Sequence, residues 1–257
     1  MLKVALVQAP LVWENKSANT EYFYAILNTI EADLVVLPEM FTSGFTMNPQ
    51  GNYETMNGRI IQELKEIAVS KNFAITGSLI IKENNLFYNR LVFIEPNSTV
   101  HFYDKRHLFS LAKEQEVYSA GTERLLINYK GWKICPLVCY DLRFPVFSRN
   151  NVNYDLLLYV ASWPERRIYA WDSLLKARAI ENMAYTVAVN RIGVDGFNVN
   201  YVGHSQAIDY MGEYLVKPFQ EEAVKYVVLD KIVKDTAIHK LGFLKDQDIF
   251  TIKLNEA

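Results

Sequence analysis

Three residues with catalytically useful side chains each follow a stretch of sequence that is typical of a β-strand. They are Glu39, Lys105 and Cys139, and the stretches that precede them are 34–38, 100–104 and 134–138. In α/β folds, functional sites lie at the carboxyl ends of strands. Each residue alone also fits an ordinary structural role, as a surface carboxylate, a solvated lysine or a small buried thiol. The three positions together suggest a site.

These three side chains match the requirements of nucleophilic attack on an acyl carbon. A free thiol has a pKa of about 8.5 and is only a few per cent thiolate at neutral pH, so it benefits from a neighbouring base. We expect Glu39 to be that base for Cys139, and Lys105 to stabilise the developing oxyanion. The backbone amide of Tyr140, directly after the nucleophile, is a candidate second donor to the oxyanion. The sequence therefore predicts a cysteine hydrolase.

The cysteines and histidines do not favour another kind of site. Cys135 and Cys139 lie four residues apart in one predicted strand, which keeps their alpha carbons too far apart for a disulfide, so we expect two free thiols. The histidines show no paired spacing of the kind that zinc requires, and no metal is expected. Only His107 lies beside a motif, so a papain-like pair of cysteine and histidine is the least favoured alternative.

Composition limits the classes of partner. The chain has 257 residues, of which 50% are apolar, and a formal charge of -2. This length and apolar fraction fit one domain over residues 1–257 with a sizeable core. The charge balance gives no reason to expect nucleic acid as a partner. No apolar run approaches the roughly 20 residues that cross a bilayer, so we expect a soluble, cytoplasmic protein that does not bind membranes.

Strand and helix patterns alternate along most of the chain, which predicts an α/β sandwich of two sheets. We expect helices over 17–32, after a cap at Asn57, and over 169–183. A late hairpin is predicted at 205–210 and 213–216, followed by a strand at 223–229. The pattern after Lys231 is ambiguous.

Three strings in the sequence resemble the signatures of the nitrilase superfamily, in the order that the family uses. They are Leu37-Pro38-Glu39-Met40-Phe41, Tyr103-Asp104-Lys105-Arg106-His107-Leu108 and Leu137-Val138-Cys139-Tyr140-Asp141-Leu142-Arg143-Phe144-Pro145. The likeness continues through 177–182 and Asn190-Arg191, so it covers nearly the whole chain. It implies a four-layer αββα sandwich of two mixed sheets flanked by helices. It also implies hydrolysis without metal or organic cofactor, and a homodimer or larger homo-oligomer.

The resemblance also implies a second carboxylate on the loop after the lysine. Glu114 is the best match and Glu116 is the rival. The ordinary interpretation of either residue is a solvated loop charge.

Within the superfamily, 41–45 and 161–164 look most like the omega-amidase branch. That likeness implies a small-molecule amide substrate, namely the omega-amide of 2-oxo dicarboxylic monoamides such as 2-oxoglutaramate and 2-oxosuccinamate, cleaved through a thioester to ammonia and a 2-oxo dicarboxylate. Phe45, Trp163 and Arg166 are the candidate substrate-binding residues, with Arg167 as an alternative cation. Another amide or carbamoyl hydrolase, or a non-catalytic binding protein of this fold, remain the alternatives.

Two further arginines are interpreted as structural. We expect Arg143 to pair with a nearby carboxylate such as Asp141. Arg178 and Glu181 have the three-residue spacing of a stabilising helical ion pair.

Overall fold

Two six-stranded sheets of mixed direction form the centre of the protein within residues 1–252, the part that this computed structural model describes. The order of strands is β14-β1-β2-β3-β4-β5 in the first sheet and β13-β12-β9-β8-β7-β6 in the second, and β10 and β11 form a separate ribbon. The strands are β1 Leu2–Gln8, β2 Leu34–Val36, β3 Ala74–Glu83, β4 Leu86–Ile94, β5 Val100–Asp104, β6 Ile127–Tyr129, β7 Trp132–Val138, β8 Leu156–Ala161, β9 Tyr185–Asn190, β10 Ile192–Val194, β11 Asn200–Val202, β12 Ser205–Ile208, β13 Tyr214–Phe219 and β14 Ala223–Leu229.

Both sheets have parallel strands at their centre and antiparallel strands at their edges. In the first sheet β1, β2 and β3 run parallel, and in the second sheet β7, β8 and β9 run parallel. Parallel neighbours end at the same edge of a sheet, so the residues that follow β7 and β8 come together there.

The helices cover the outer faces of the two sheets. They are α1 Lys16–Leu27, α2 Pro49–Asn52, α3 Arg59–Lys71, α4 Pro145–Ser148, α5 Ile168–Asn182 and α6 Lys231–Leu241. Side chains of α1 and α3 pack on the first sheet in one apolar cluster, whereas α5 packs on the second. A larger cluster contains inner-face residues of both sheets. The predicted four-layer sandwich is therefore confirmed.

Two helix boundaries differ from the sequence prediction. Helix α1 ends at Leu27 and not at residue 32, because Asn28 and Thr29 form a turn in which the Thr29 hydroxyl donates to the Ile26 carbonyl. The apolar pattern continues past the helix because Ile30 is buried in the turn itself. Helix α3 begins one residue later than expected, and its N-cap is Gly58, not Asn57.

The ambiguous segment after residue 231 begins as helix α6, which is fixed to the second sheet by a buried carboxylate. Asp155 accepts hydrogen bonds from Lys231 Nζ at 2.7 Å and from the backbone amide of Lys133 at 2.8 Å. The Nζ of Lys234 lies 2.8 Å from the other carboxylate oxygen of Asp155. Within residues 1–252, no helix is long and apolar enough to span a bilayer.

Leu91 of β4 tests the packing between the sheets. Its side chain is fully buried in the cluster shared by both sheets. We expect Leu91→Ala to lower the free energy of unfolding by about 2 to 5 kcal/mol, since it removes buried apolar contacts and leaves a cavity. Chemical denaturation measures the change. Leu86→Ala, on the exposed end of the same strand, is the control; equal losses for both variants would contradict this account of the core.

Candidate active site

Glu39, Lys105 and Cys139, the three residues singled out in the sequence, come together at one edge of the sandwich. Lys105 follows β5 directly, Glu39 lies three residues beyond β2, and Cys139 follows β7. All three line one pocket. The backbone of Cys139 has φ +44°, a left-handed conformation that a non-glycine residue rarely adopts. Such strain is typical of functional positions, and here it turns the chain sharply at the end of the strand.

The side chains of Glu39 and Glu114 share the ammonium of Lys105. Lys105 Nζ lies 3.0 Å from Glu39 Oε1 and 2.9 Å from Glu114 Oε2. Asn89 Nδ2 joins the same carboxylates from β4, with donor distances of 2.8 Å to Glu39 Oε1 and 3.2 Å to Glu114 Oε1. The remaining oxygen of Glu39 accepts a hydrogen bond from the backbone amide of Ser162 at 2.8 Å. Each carboxylate is therefore held in one orientation.

This cluster is almost completely removed from water. Glu39, Asn89 and Glu114 are fully buried and Lys105 is 1% exposed. Burial lowers the pKa of the Lys105 ammonium, but the charges of Glu114 and Glu39 outweigh burial and raise it above its usual value. Burial raises the pKa of Glu114, an effect that the Lys105 charge opposes and the Glu39 charge reinforces. The Lys105 side chain therefore stays charged, and its ammonium forms ion pairs with both carboxylates.

The thiol of Cys139 lies at the edge of this cluster and is partly accessible from the pocket. Burial, followed by the charge of Glu39, raises the pKa of the thiol well above its usual value, although Lys105 acts in the opposite direction. Cys139 is therefore a thiol at neutral pH, with a carboxylate beside it that can accept its proton. Cys135 is a second free thiol, fully buried in β7, as predicted.

Asp141 joins the end of β5 to the turn that carries the nucleophile. Its buried carboxylate accepts hydrogen bonds from the Tyr103 hydroxyl at 2.8 Å and from the backbone amides of His107 and Val138 at 3.0 Å each. The ring nitrogen Nδ1 of His107 lies 2.7 Å from the same carboxylate. Tyr103 and His107 flank Lys105, and Val138 precedes Cys139. One side chain therefore fixes the distance between the ammonium and the sulfur.

Three arginines line the outer part of the pocket, a cavity of about 250 Å³. The guanidinium of Arg143 lies 4.9 Å from the centre of the Trp163 ring, and that of Arg167 lies 4.9 Å from the centre of the Phe109 ring. Arg166 is more exposed and lines the same cavity. Burial, together with the charge of Arg166, lowers the pKa of Arg167. Within residues 1–252 none of the three forms an ion pair with a carboxylate, so the pocket offers unpaired positive charge.

The sequence interpretation of Arg143 as a structural partner of Asp141 was wrong. Asp141 points inward, to Tyr103 and His107, while the Arg143 side chain lies against Trp163 in the pocket. The short 3₁₀ turn Cys139–Arg143 separates the two residues, because side chains two positions apart in such a turn point in different directions. The predicted pair of Arg178 and Glu181 is present at 3.0 Å.

The other predicted residues also line the pocket. Phe45 lies with its ring centre 5.0 Å from Lys105 Nζ, and Trp163 follows Ser162 at the end of β8. Tyr140 lines the pocket at the start of the 3₁₀ turn, where backbone amides have no partner within the turn. Glu114 lies in the cluster, whereas its rival Glu116 is exposed and lies 3.7 Å from Lys113.

The pocket also has an acidic residue, Asp195, whose carboxylate is already engaged. One oxygen accepts hydrogen bonds from the backbone amides of Phe197 and Val199, and the other accepts from the Tyr201 hydroxyl at 2.9 Å. Asp195 therefore shapes the loop between β10 and β11, and within residues 1–252 it forms no ion pair with the three arginines.

Comparison with known sequences identifies the family. The sequence model described as Carbon-nitrogen hydrolase matches residues 3–236. The chain belongs to this family. It is therefore a hydrolase that acts on carbon-nitrogen bonds other than peptide bonds, as the arrangement of Glu39, Lys105 and Cys139 led us to expect.

Other carbon-nitrogen hydrolases are similar over most of the chain. The omega-amidase YafV of Escherichia coli (strain K12) is 45% identical over 225 residues, which cover 87% of this chain and 88% of that protein. The 2-oxoglutaramate amidase of Bacillus subtilis (strain 168) is 32% identical over 213 residues, which cover 81% of this chain and 82% of that protein. Both lie within the range in which the whole fold is shared.

Solved structures confirm the nitrilase-superfamily architecture. The crystal structure of XC1258 from Xanthomonas campestris, a CN-hydrolase superfamily protein with an arsenic adduct in its active site, superimposes with a TM-score of 0.95 at 40% identity, covering 98% of this chain and 99% of that one. Nit3 of Saccharomyces cerevisiae superimposes with a TM-score of 0.84 at 22% identity, covering 95% and 96%, which supports the fold alone.

Sequence reasoning missed two contributors to this carbon-nitrogen hydrolase site, Asn89 and the backbone amide of Ser162. A signal for Asn89 was present, because a polar residue with an apolar run after it in a buried strand needs a polar partner. The amide of Ser162 carried no signal, since every residue has one.

Asp141→Asn tests the link between β5 and the nucleophile turn. An asparagine side chain has only one acceptor oxygen. Its NH₂ group takes the place of the second oxygen, so the donors that bonded to that oxygen lose their acceptor. We expect turnover of an amide substrate to fall about 100-fold, the usual cost of a small misplacement of reacting groups. Steady-state kinetics with ammonia detection measures it, and Asp209→Asn on an exposed turn is the matched control. Equal turnover in both variants would show that Asp141 does not position Lys105 relative to Cys139.

Proposed function

We propose that this carbon-nitrogen hydrolase is an omega-amidase, which hydrolyses the terminal amide of 2-oxo dicarboxylic monoamides such as 2-oxoglutaramate and 2-oxosuccinamate. The observation that carries the proposal is a pocket with two chemically distinct ends. A thiol with a buried carboxylate and ammonium lies at the inner end, and three unpaired guanidinium groups lie at the outer end. An amide whose far end is an anion matches both ends.

The names of the relatives support the same substrate class. The Escherichia coli relative is named an omega-amidase and the Bacillus subtilis relative a 2-oxoglutaramate amidase. Because these proteins align over more than four-fifths of this chain, the proposal extends their activity to it.

The charges of the pocket favour a 2-oxo acid over the corresponding amino acid. Arg143 and Arg167 would hold the 2-oxo carboxylate, each with its guanidinium already oriented on an aromatic ring. The ammonium of glutamine would face the same cations, and the carboxylate of Asp195 is occupied by three donors. A substrate of about ten non-hydrogen atoms also suits a cavity at the small end of the usual range.

The first half of the proposed reaction forms a thioester. Glu39 accepts the proton of the Cys139 thiol as the sulfur attacks the amide carbon, and the amide oxygen gains the negative charge. Lys105 and the Tyr140 backbone amide stabilise that oxyanion. Glu39 then donates the proton to the departing nitrogen, the carbon-nitrogen bond breaks, and ammonia leaves.

The second half returns the enzyme to its starting state. Glu39 accepts a proton from a water molecule, whose oxygen attacks the thioester carbon and again forms an oxyanion near Lys105. The carbon-sulfur bond then breaks, the sulfur regains a proton from Glu39, and the 2-oxo dicarboxylate is released. Glu114 keeps Lys105 charged and oriented through both halves without contacting the reacting atoms.

Self-association of this chain is a prediction from the family resemblance. The homodimer or larger assembly that the family resemblance implied is measured directly by analytical ultracentrifugation.

Cys139→Ala tests the covalent step. Because the sulfur is the nucleophile of this scheme, we expect ammonia release from 2-oxoglutaramate to fall to background, with an unchanged far-ultraviolet circular dichroism spectrum. Cys135→Ala is the matched control, since it removes a thiol from β7, the strand before Cys139, outside the pocket, and it should keep near-normal turnover. Normal turnover by Cys139→Ala would rule out the thioester mechanism.

Arg143→Ala and Arg167→Ala test the anion end of the pocket. A hydrogen bond to a charged group contributes about 1.5 to 3 kcal/mol, so either variant should raise the Michaelis constant for 2-oxoglutaramate roughly 10 to 100-fold. The Michaelis constant for butyramide, which has no carboxylate, should change little. Initial rates with both substrates measure the two constants.

Arg59→Ala, on the exposed surface of α3, is the control for the loss of one positive charge. A similar increase for both substrates would mean that the pocket is damaged in general. If neither variant, nor Arg166→Ala, changes the constant for 2-oxoglutaramate, the anion binds elsewhere and the proposed substrate class loses its main physical support.

A further inference from the structure

Asn89 holds both carboxylates of the cluster with a single amide group. Its Nδ2 donates to Glu39 Oε1 at 2.8 Å and to Glu114 Oε1 at 3.2 Å. The same two oxygens accept from Lys105 Nζ at 3.0 and 3.1 Å. The facing oxygens of the two acids are therefore bridged twice, once by a charged donor and once by a neutral one.

The orientation of the Asn89 amide is determined by its surroundings. With the amide reversed, the Asn89 oxygen would lie against two carboxylate oxygens, which would repel it. In the observed orientation, Oδ1 finds no hydrogen-bond partner within residues 1–252. A buried acceptor without a partner is unfavourable, so the contacts to Glu39 and Glu114 outweigh that loss.

The charges of the cluster explain why a neutral donor is needed. Two carboxylates and one ammonium, all buried, leave one negative charge in excess before the thiol is counted. Like charges at this distance favour uptake of a proton, and the pKa of Glu114 is raised accordingly, first by burial. A donor that bonds to both acids stabilises the doubly ionised state without adding a second positive charge.

We propose that Asn89 is a positioning residue that aims Glu39 at Cys139 and stabilises the negative charge of the carboxylate pair through its hydrogen bonds to Glu39 and Glu114. With Oε1 held by Asn89 and Lys105, the other oxygen of Glu39 accepts from the Ser162 amide, and both Glu39 and that amide adjoin the Cys139 thiol. The inference rests on the proposed role of Glu39 as the base, but not on the identity of the substrate.

Other titratable groups that face the cluster do not replace this function. Lys105, directly after β5, stays protonated, and Cys139, in the turn after β7, stays a thiol. Tyr118 donates its hydroxyl proton to the Thr46 carbonyl at 2.6 Å, and burial, followed by the charge of Glu114, raises its pKa. Glu14 is a further carboxylate whose charge reaches Tyr118. Lys105, Cys139 and Tyr118 each keep their proton near neutrality, so the acid limb of the pH profile reports on the carboxylate pair.

Asn89→Leu removes the donor and keeps a side chain of similar volume. Without the two hydrogen bonds, the carboxylate pair takes up a proton at higher pH. We expect the midpoint of the acid limb to move up by about one pH unit, since hydrogen bonds to charged groups have that magnitude. Well below the wild-type midpoint the rate should then fall about tenfold, and it should recover toward the wild-type rate at high pH.

The measurement uses two readouts from about pH 5 to about pH 9. One is the rate of alkylation of Cys139 by iodoacetamide, which needs an ionised base but no substrate. The other is hydrolysis of 2-oxoglutaramate. If the protein does not hydrolyse 2-oxoglutaramate, the proposed substrate is wrong and alkylation still decides the role of Asn89.

Asn89→Asp is the second variant, with the same shape and a third carboxylate in place of the donor. It should shift the midpoint of the acid limb in the same direction and by a larger amount. If Asn89→Leu does not fold, Asn89→Asp alone tests the inference. Val92→Ala is the matched control, since it removes buried volume from the same strand on its other face. It should lower the melting temperature and leave the midpoint unchanged.

A purely structural role for Asn89 predicts a different result. Both variants would then lose rate by the same factor at every pH, with the midpoint at the wild-type value. That outcome, or unchanged profiles in a folded Asn89 variant, would overturn the inference.

Discussion

The site depends on one buried ammonium shared by two buried carboxylates. Taking three charges out of water is costly, and their mutual attraction offsets that cost only if the groups are in contact and their remaining atoms are hydrogen-bonded. Lys105, Glu39 and Glu114 come from three separate segments, so this requirement fixes how those segments meet. The same requirement explains why Asn89 and the amides of Ser162 and Phe109 complete the shell. Removing any one charge would leave another unpaired in a dry environment.

The side chains of the candidate site are divided between the two sheets. The acids and the lysine follow strands of the first sheet or the loop after it, whereas the thiol follows a strand of the second. The apolar core between the sheets sets their approximate separation, but apolar packing has little directional preference. Directional contacts across the gap supply the precision, above all those of Asp141 with Tyr103 and His107. The core and the catalytic geometry are thus coupled through a few hydrogen bonds.

The electrostatic character of the pocket changes along its length. The inner end is buried and has an excess of negative charge, and burial, followed by the charge of Glu39, raises the pKa of the Cys139 thiol. The outer end has unpaired guanidinium groups that lie on aromatic rings. Such a gradient supports the proposed substrate class, which has a neutral amide at one end and a carboxylate at the other. It also explains how a scaffold shared by many amide hydrolases can select among amides by the residues at its outer end.

The sequence by itself pointed to Cys139, Glu39 and Lys105 as the candidate nucleophile, base and cation, because each follows a strand whose apolar pattern is a local property of the chain. It also determined the alternation of strands and helices. Only the tertiary structure decided that Arg143 faces the pocket, that Asn89 bridges two acids and that helix α1 ends at Leu27. Those outcomes depend on which distant groups lie within hydrogen-bonding or packing distance, and such distances are set by the meeting of two sheets and not by neighbours along the chain.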